Sequence, residues 1–484
     1  MIRTPCFTLS TLALAVLLLS QSALAQNDVP ADQQALTELQ ALANAEAQPH
    51  VLPSLPGLFV RALRHDSDLT RQRYELDATR EEIPMARSQL LPRISASGGY
   101  LWQDSTNIQT SPDDFGLDQP AQRPGEIDET YYQVQLQQPL FSLERWRKMG
   151  VADAQVSAAE LQLAVLEQEM ALQVSEAYIK AYLAAQRLGL LESQQDSLDL
   201  QVRQASRAFD LGVGNRVDLL EAQSRYDQAV SDAVEAENEL DNALSELERL
   251  TGVTPRFQGT APGELTTVTL NGDIGEPDEW ISRTGQNLNV LLAQQEQEIA
   301  QADTSVRRSG YYPEVNLSLS YSDRTSDDEL RESEDYRANV ELSVPIYRGG
   351  YTNASVRQGE KRIEAGLAAI DNERNLAVQE VRQRIRSLNG GERRLEALNQ
   401  AISSSQLFLE AAERGEQLGL RDLVDVLDAR ASLYDQRIKY VDTVGDYALD
   451  MLALHTAVGS LESDDLDHIM ELLASLSTSS QVAQ

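Results

Sequence analysis

The chain has 484 residues, 76 acidic against 41 basic, a formal net charge of −35 and only 5% aromatic residues. That charge repels a polyanion and argues against nucleic-acid binding, and so few aromatics suit long helices with a thin core better than one thick globular core. One cysteine, Cys6, and four scattered histidines, His50, His65, His455 and His468, offer no disulfide and no metal-ligand pair. No glycine-rich phosphate loop or G-x-S-x-G motif is present either, so no catalytic residue, metal or cofactor is expected.

In chain order, Arg3, the apolar run from Leu9 to Leu19 and Ala23-Leu24-Ala25 read as a secretory signal over 1–25. Cys6 precedes that run instead of sitting at the cleavage point, so no lipid anchor is expected. No other stretch reaches the ~18 apolar residues of a membrane-spanning helix. Residues 26–52 form an N-terminal extension rich in Ala, Gln and Leu over 29–48.

Two pairs of alternating segments follow. The first is Ile94 to Trp102 with Tyr132 to Gln137; the second is Val315 to Tyr321 with Ala338 to Val344. One face of each is apolar or aromatic and the other is Gln, Ser, Asn and Glu, the period-two pattern of a strand with one greasy side. After each pair comes a proline-free stretch, between Pro139 and Pro255 and from Pro345 onward, rich in Ala, Leu, Glu, Gln and Arg. Leu161, Val165, Leu172 and Ile179, and Ile363, Leu367, Ile370 and Val378, carry the helical period. Helices of ~65 residues there would reach about 100 Å, packed as coiled coils.

The two halves repeat. Arg87 through Pro92 returns as Arg308 through Pro313, and Val134, Leu136 and Pro139 return as Val340, Leu342 and Pro345. Leu211-Gly212, Val217-Asp218, Leu220 and Ala222 return as Leu418-Gly419, Val424-Asp425, Leu427 and Ala429 at a constant offset of 207. Internal duplication follows, with repeats at 53–258 and 280–470, a Gly/Pro/Thr-rich linker at 259–279 and a tail at 471–484. In the second half Asn389-Gly390-Gly391 predicts a kink or local break in a long helix.

Strands of this length match the ~9–11 residues of a tilted membrane strand. Aromatics gather near both ends: Tyr100, Trp102, Tyr131, Tyr132, Tyr321 and Tyr336 at one, Phe141, Tyr311, Tyr312 and Tyr347 at the other. A soluble hairpin laid on a helix would also alternate; the signal peptide, paired girdles and duplication favour the membrane. Four strands cannot close a barrel, which needs at least ~8, so a membrane reading requires oligomers.

The motifs Ala86-Arg87 to Leu91-Pro92, Phe141 with Trp146-Arg147, Val344 to Tyr347 with Gly349-Gly350, Val424 to Ala429, and Leu433-Tyr434 resemble the TolC-like outer-membrane efflux protein family over nearly the whole mature chain. The resemblance implies an α+β membrane protein: a long α-helical coiled-coil barrel joined to a transmembrane β-barrel shared between protomers, four strands each. It implies a homotrimer in outer-membrane lipid, acting as a passive conduit of type I secretion or multidrug efflux with a periplasmic adaptor and an inner-membrane ABC exporter or pump. A periplasmic coiled-coil adaptor without a pore is the competing reading, and an exported hydrolase would need a constellation that is absent.

Asp425 and Asp428 share one helix face. They either form stacked carboxylate rings in a narrow cation-selective lumen or stabilise a helix N-terminus; the resemblance implies the first, a selectivity gate. It also implies a closed-state lock between Arg421 and Asp218, with departures at Val217 and Glu416, and adaptor-docking turns at Leu211-Gly212 and Leu418-Gly419.

Overall fold

A computed structural model gives the fold and describes residues 51–104, 126–257, 265, 268, 274–326, 332–476 and 481–482. The expected signal peptide and the extension as far as residue 50 lie outside the described residues. The chain enters through β1 (Val51–Leu52) and α1 (Leu55–His65), whose first turn is capped by the Ser54 hydroxyl accepting from the Gly57 N–H at 3.2 Å. Asp66 ends α1 and caps α2 (Ser67–Arg80), its carboxylate accepting from the Leu69 N–H at 2.8 Å. A short α3 (Glu82–Ser88) leads into β2 (Arg93–Asp104) and β3 (Glu126–Ser142).

These two strands pair antiparallel and join β4 (Glu314–Ser326) and β5 (Ser333–Ser343) in one sheet of order β2-β3-β4-β5. The register puts Ala96 against Val134, Val134 against Tyr321 and Tyr321 against Tyr336, so one face is apolar across all four strands. Ile94, Trp102, Tyr132, Val340 and Leu342 on it are exposed. The opposite face is a ladder of Ser97, Gln133, Ser322 and Asp335. Among the described residues, β2 and β5 each keep one edge unpaired.

One aromatic belongs elsewhere than the girdle predicted for it. Tyr131 pairs opposite Gly99 and Arg324, on the polar face, because adjacent strand residues point to opposite sides. Its ring lies over Gly99, where a Cβ would come within 2.6 Å of it. Next to it the half-exposed Arg324 meets buried Glu129 at 2.9 Å.

From the sheet the chain runs into α4 (Leu143–Asp210), 68 residues and about 100 Å long, and returns in α5 (Arg216–Thr251). After α6 (Pro277–Arg283) and α7 (Leu288–Arg308) the plan repeats: β4, β5, then α8 (Tyr351–Gln417) and α9 (Leu423–Ala457). Of the kink or local break expected at Asn389-Gly390-Gly391, the break is absent, and α8 runs through it. Two glycines cost only ~1 kcal/mol each in a helix interior, and Gly391 serves packing instead, since a Cβ there would lie 3.3 Å from the Tyr447 ring. The linker is docked where it is described: buried Val268 donates its N–H to the Tyr440 hydroxyl at 2.8 Å, and α6 begins inside the linker range. Finally α10 (Ser463–Ala474) and β6 (Gln481–Val482) return the C-terminus to pair with β1.

The main core sits midway along the long helices. Tyr178 and Tyr182 of α4 are fully buried there, their hydroxyls donating to Pro53 O at 2.9 Å and Leu473 O at 2.7 Å. They pin α4 to both chain ends. Toward the helix tips only small clusters remain, such as Leu198, Ala222, Ala229 and Leu427. Among the described residues no helix is long and apolar enough to cross a membrane.

Candidate functional site at the helix tips

Both long hairpins turn in the same way. Gly212 adopts φ 73°, with the Val213 N–H donating to Ala208 O at 3.0 Å; Gly419 adopts φ 71°, with the Leu420 N–H donating to Gly415 O at 2.8 Å. This is the left-handed glycine cap of a helix C-terminus. No atom lies within 4 Å of either missing Cβ, so backbone conformation alone selects glycine. Leu211, Val213, Leu418 and Leu420 on these turns are 73–81% exposed, leaving an apolar tip in water.

After each turn a helix starts with a carboxylate in its first turn. Asn215 caps α5 by accepting from the Val217 N–H at 3.0 Å, with Asp218 just inside. Asp422 precedes α9, with Asp425 in the first turn and Asp428 one turn on. Each of the two gate candidates meets an arginine: Asp425 meets Arg421 at 3.2 Å and Asp428 meets Arg225 at 2.8 Å. Arg225 also holds Glu221 at 3.0 Å.

Within one protomer, therefore, Arg421 is not joined to Asp218 as expected. The reason is local: Arg421 lies in the turn two residues ahead of α9, where Asp425 of the first helical turn comes within 3.2 Å of it, whereas Asp218 belongs to the other hairpin. The guanidinium also lies 5.9 Å from the centre of the Phe408 ring. What does tie the hairpins is a pair of arginines that sequence reasoning missed. Arg225 of α5 reaches Asp428 of α9. Arg430 of α9, nearly buried, donates to the Ser197 hydroxyl of α4 and pairs with Glu413 of α8 at 2.5 Å. A signal existed, because at the repeat offset Arg225 faces Ser432 and Arg430 faces Gln223. Each arginine is private to one half.

A four-stranded sheet with an apolar outer face and open edges, carried on two hairpins whose long arms reach about 100 Å, defines a subunit of a membrane channel. The chain belongs to the family described as "Outer membrane efflux protein", whose model matches residues 58–253 and 283–460. It is similar to the outer membrane protein TolC of Vibrio cholerae serotype O1, 28% identical over 428 residues that cover 85% of this chain and 92% of that protein. It is also similar to the alkaline protease secretion protein AprF of Pseudomonas aeruginosa, 27% identical over 412 residues covering 84% of each. The crystal structure of CusC shares the fold, with a TM-score of 0.72 at 18% identity, over 85% of this chain and 93% of that one. The chain is thus an outer-membrane efflux channel that extends into the periplasm, rather than an enzyme or a free adaptor.

Proposed function

We propose that three copies of this chain close one twelve-stranded barrel and one helical tunnel, which an adaptor and an inner-membrane exporter open at the periplasmic end. The observation that carries this is the pair of unpaired edges on β2 and β5. In lipid an unpaired edge costs several kcal/mol per backbone group, and a neighbour's complementary edge removes that cost; the family resemblance supplies the number three. Type I protein secretion is the favoured use, supported by similarity to a protein named for alkaline protease secretion, with multidrug efflux as the other. The tunnel is passive, and energy comes from the partner.

At the tip, Asp425 and Asp428 of three copies form two carboxylate rings that bind cations. Intraprotomer pairs with Arg421 and Arg225 temper that charge. The lock between Arg421 and Asp218 enters this proposal as a contact between copies, formed when Arg421 exchanges Asp425 for a neighbour's carboxylate. The exposed turns at Leu211-Gly212 and Leu418-Gly419 receive the adaptor.

The test is single-channel conductance of purified protein in a planar bilayer, with a lanthanide(III) ion on the periplasmic side. A small cation-selective conductance is expected, blocked by the lanthanide, with block lost in Asp425→Ala/Asp428→Ala. Insertion with undiminished block in that variant removes the gate from these residues. A purified protein that never inserts overturns the channel reading.

A further inference from the structure

We infer that the open edges of β5 and β2 join between copies in one definite register, with Val340 opposite Tyr100, Leu342 opposite Gly98 and Ser343 opposite Ser97 of the next copy. This rests on the shared barrel proposed above and specifies its seam, a head-to-tail contact that closes when the copies form a ring.

The register comes from the internal repeat. Arg87 and Arg308 are 221 residues apart, and Val134 and Val340 are 206 apart. Carried over at those offsets, the pair of Ala96 with Val134 in the first hairpin predicts Leu317 with Val340 in the second, and that is the pair found. The two hairpins are therefore equivalent residue by residue. Inside the chain they are joined through β3 and β4, which pair Val134 with Tyr321, Leu136 with Leu319 and Gln137 with Ser318. Between copies, the joint at the same place in the plan is β5 against β2. The same offsets turn the three observed pairs into Val340 with Tyr100, Leu342 with Gly98 and Ser343 with Ser97. A ring built this way repeats one joint between hairpins all the way round.

The side chains agree with that register. A slip of one residue would turn the greasy face of one strand inward, so only even shifts compete with it. At the inferred register the Val134–Tyr321 pair of the inner joint recurs as valine with tyrosine, and Val340 and Tyr100 are both exposed in the single chain. Exposed Leu342 comes beside Gly98, the one position on the apolar face of β2 that lacks a side chain. The Tyr132 ring lies over Gly98 from the other side, where a Cβ would come within 3.1 Å of its Cδ1. In the seam Leu342 packs on that ring across the glycine, an arrangement that compensates a glycine at a sheet edge. One step along, Ala338 opposite Trp102 again sets a small side chain against a large one.

Disulfide trapping in the full chain tests this. The single cysteine, Cys6, lies in the expected signal peptide, so engineered pairs report alone. Directly opposed residues of antiparallel strands lie about 4.5–5.5 Å apart, within the ~4.4–6.8 Å that a disulfide bridges, while residues two positions off lie about 7–8 Å apart. Purified protein in detergent is oxidised until Gln137→Cys/Ser318→Cys, the equivalent pair inside one chain, has lost its free thiols. In that time Ser343→Cys/Ser97→Cys should become a covalent ring of three chains on a non-reducing gel. Ser343→Cys/Ser95→Cys and Asn339→Cys/Gln103→Cys stand opposite only after a two-residue slip in one direction or the other, and should link at least about tenfold less. Mass photometry of the unoxidised protein separates failure of the register from failure of the barrel. A protein that stays monomeric overturns the shared barrel and the seam with it. A trimer in which a slipped pair links first, or in which Ser343→Cys/Ser97→Cys stays unlinked, overturns the register and leaves the shared barrel standing.

Discussion

Replacing Arg225 by Gln should loosen the periplasmic closure and at the same time sharpen cation block. Arg225 meets Asp428 at 2.8 Å across the hairpins, with the two side chains 42% and 59% exposed. At that exposure one pair contributes roughly 0.2–1 kcal/mol. Three independent copies then contribute about 0.6–3 kcal/mol, which shifts a closed-to-open equilibrium by roughly 3- to 150-fold. The substitution also strips Asp428 and Glu221 of their shared cation, so the lanthanide should bind more tightly as the closed state weakens. Both effects are read from the same bilayer recording, as closed-state conductance and as blocking concentration. Being exposed, the pair should lose most of its influence in 1 M salt, where the screening length is about 3 Å. A double-mutant cycle of Arg225→Gln with Asp428→Asn isolates the coupling. A cycle with zero coupling, or an Arg225→Gln channel indistinguishable from the parent, would refute the reasoning and leave Arg430 as the arginine that joins the hairpins at the tip.

Two glycines should respond in opposite senses to the same substitution. Gly459 has φ 69° and a Cβ there would lie 2.2 Å from Gln286 O, a backbone atom that no rotamer change can move. Gly459→Ala should cost about 2–5 kcal/mol, whereas Gly390→Ala, in open space on α8, should gain about 0.5–1 kcal/mol; thermal unfolding followed by circular dichroism ranks them. Leu427 is 1% exposed in the tip cluster, and Leu427→Ala should cost about 2–5 kcal/mol, seen as faster proteolysis at the 211–216 and 418–422 turns. Leu418→Ala, 73% exposed, should change stability by no more than about 0.5 kcal/mol and, on the proposed role of these turns, weaken adaptor docking.

The strands and long helices were legible because their signals are periodic and local. Alternation in Val315 to Tyr321 fixes both the strand and its greasy face, and the proline-free stretches permit helices of 68 and 67 residues. Tyr131 was misplaced because proximity to Tyr132 outweighed the period-two rule that separates them. The Gly390-Gly391 pair predicts a kink or break where the helix continues, since sequence shows the propensity cost of glycine and hides the Tyr447 ring that one of them admits. The tip was the hardest to read. Asp425 and Asp428 announce themselves by spacing, but their partners are set by how two hairpins lie together: Arg225 is 203 residues from Asp428 and Arg430 is 233 from Ser197.

The distribution of the core explains why charge can govern the tip at all. Midway along the helices, Tyr178, Tyr182, Leu452 and Leu454 are sealed among residues from both chain ends, and each large side chain buried there contributes about 1.5–3 kcal/mol. At the tips the buried residues are mostly alanines, with Ala222 and Ala229 around Leu427, and Ala412 and Ala429 beside Val426. An alanine removes little apolar area from water, so the hairpins are held to each other weakly just where Arg225 and Arg430 cross between them. A force applied to the exposed turns therefore meets ion pairs and small side chains first and the tyrosine-anchored middle last. On the proposed gating, the tip can part while the middle and the sheet beyond it stay as they are, and the few residues that oppose parting are the ones whose charge a partner or a cation can alter.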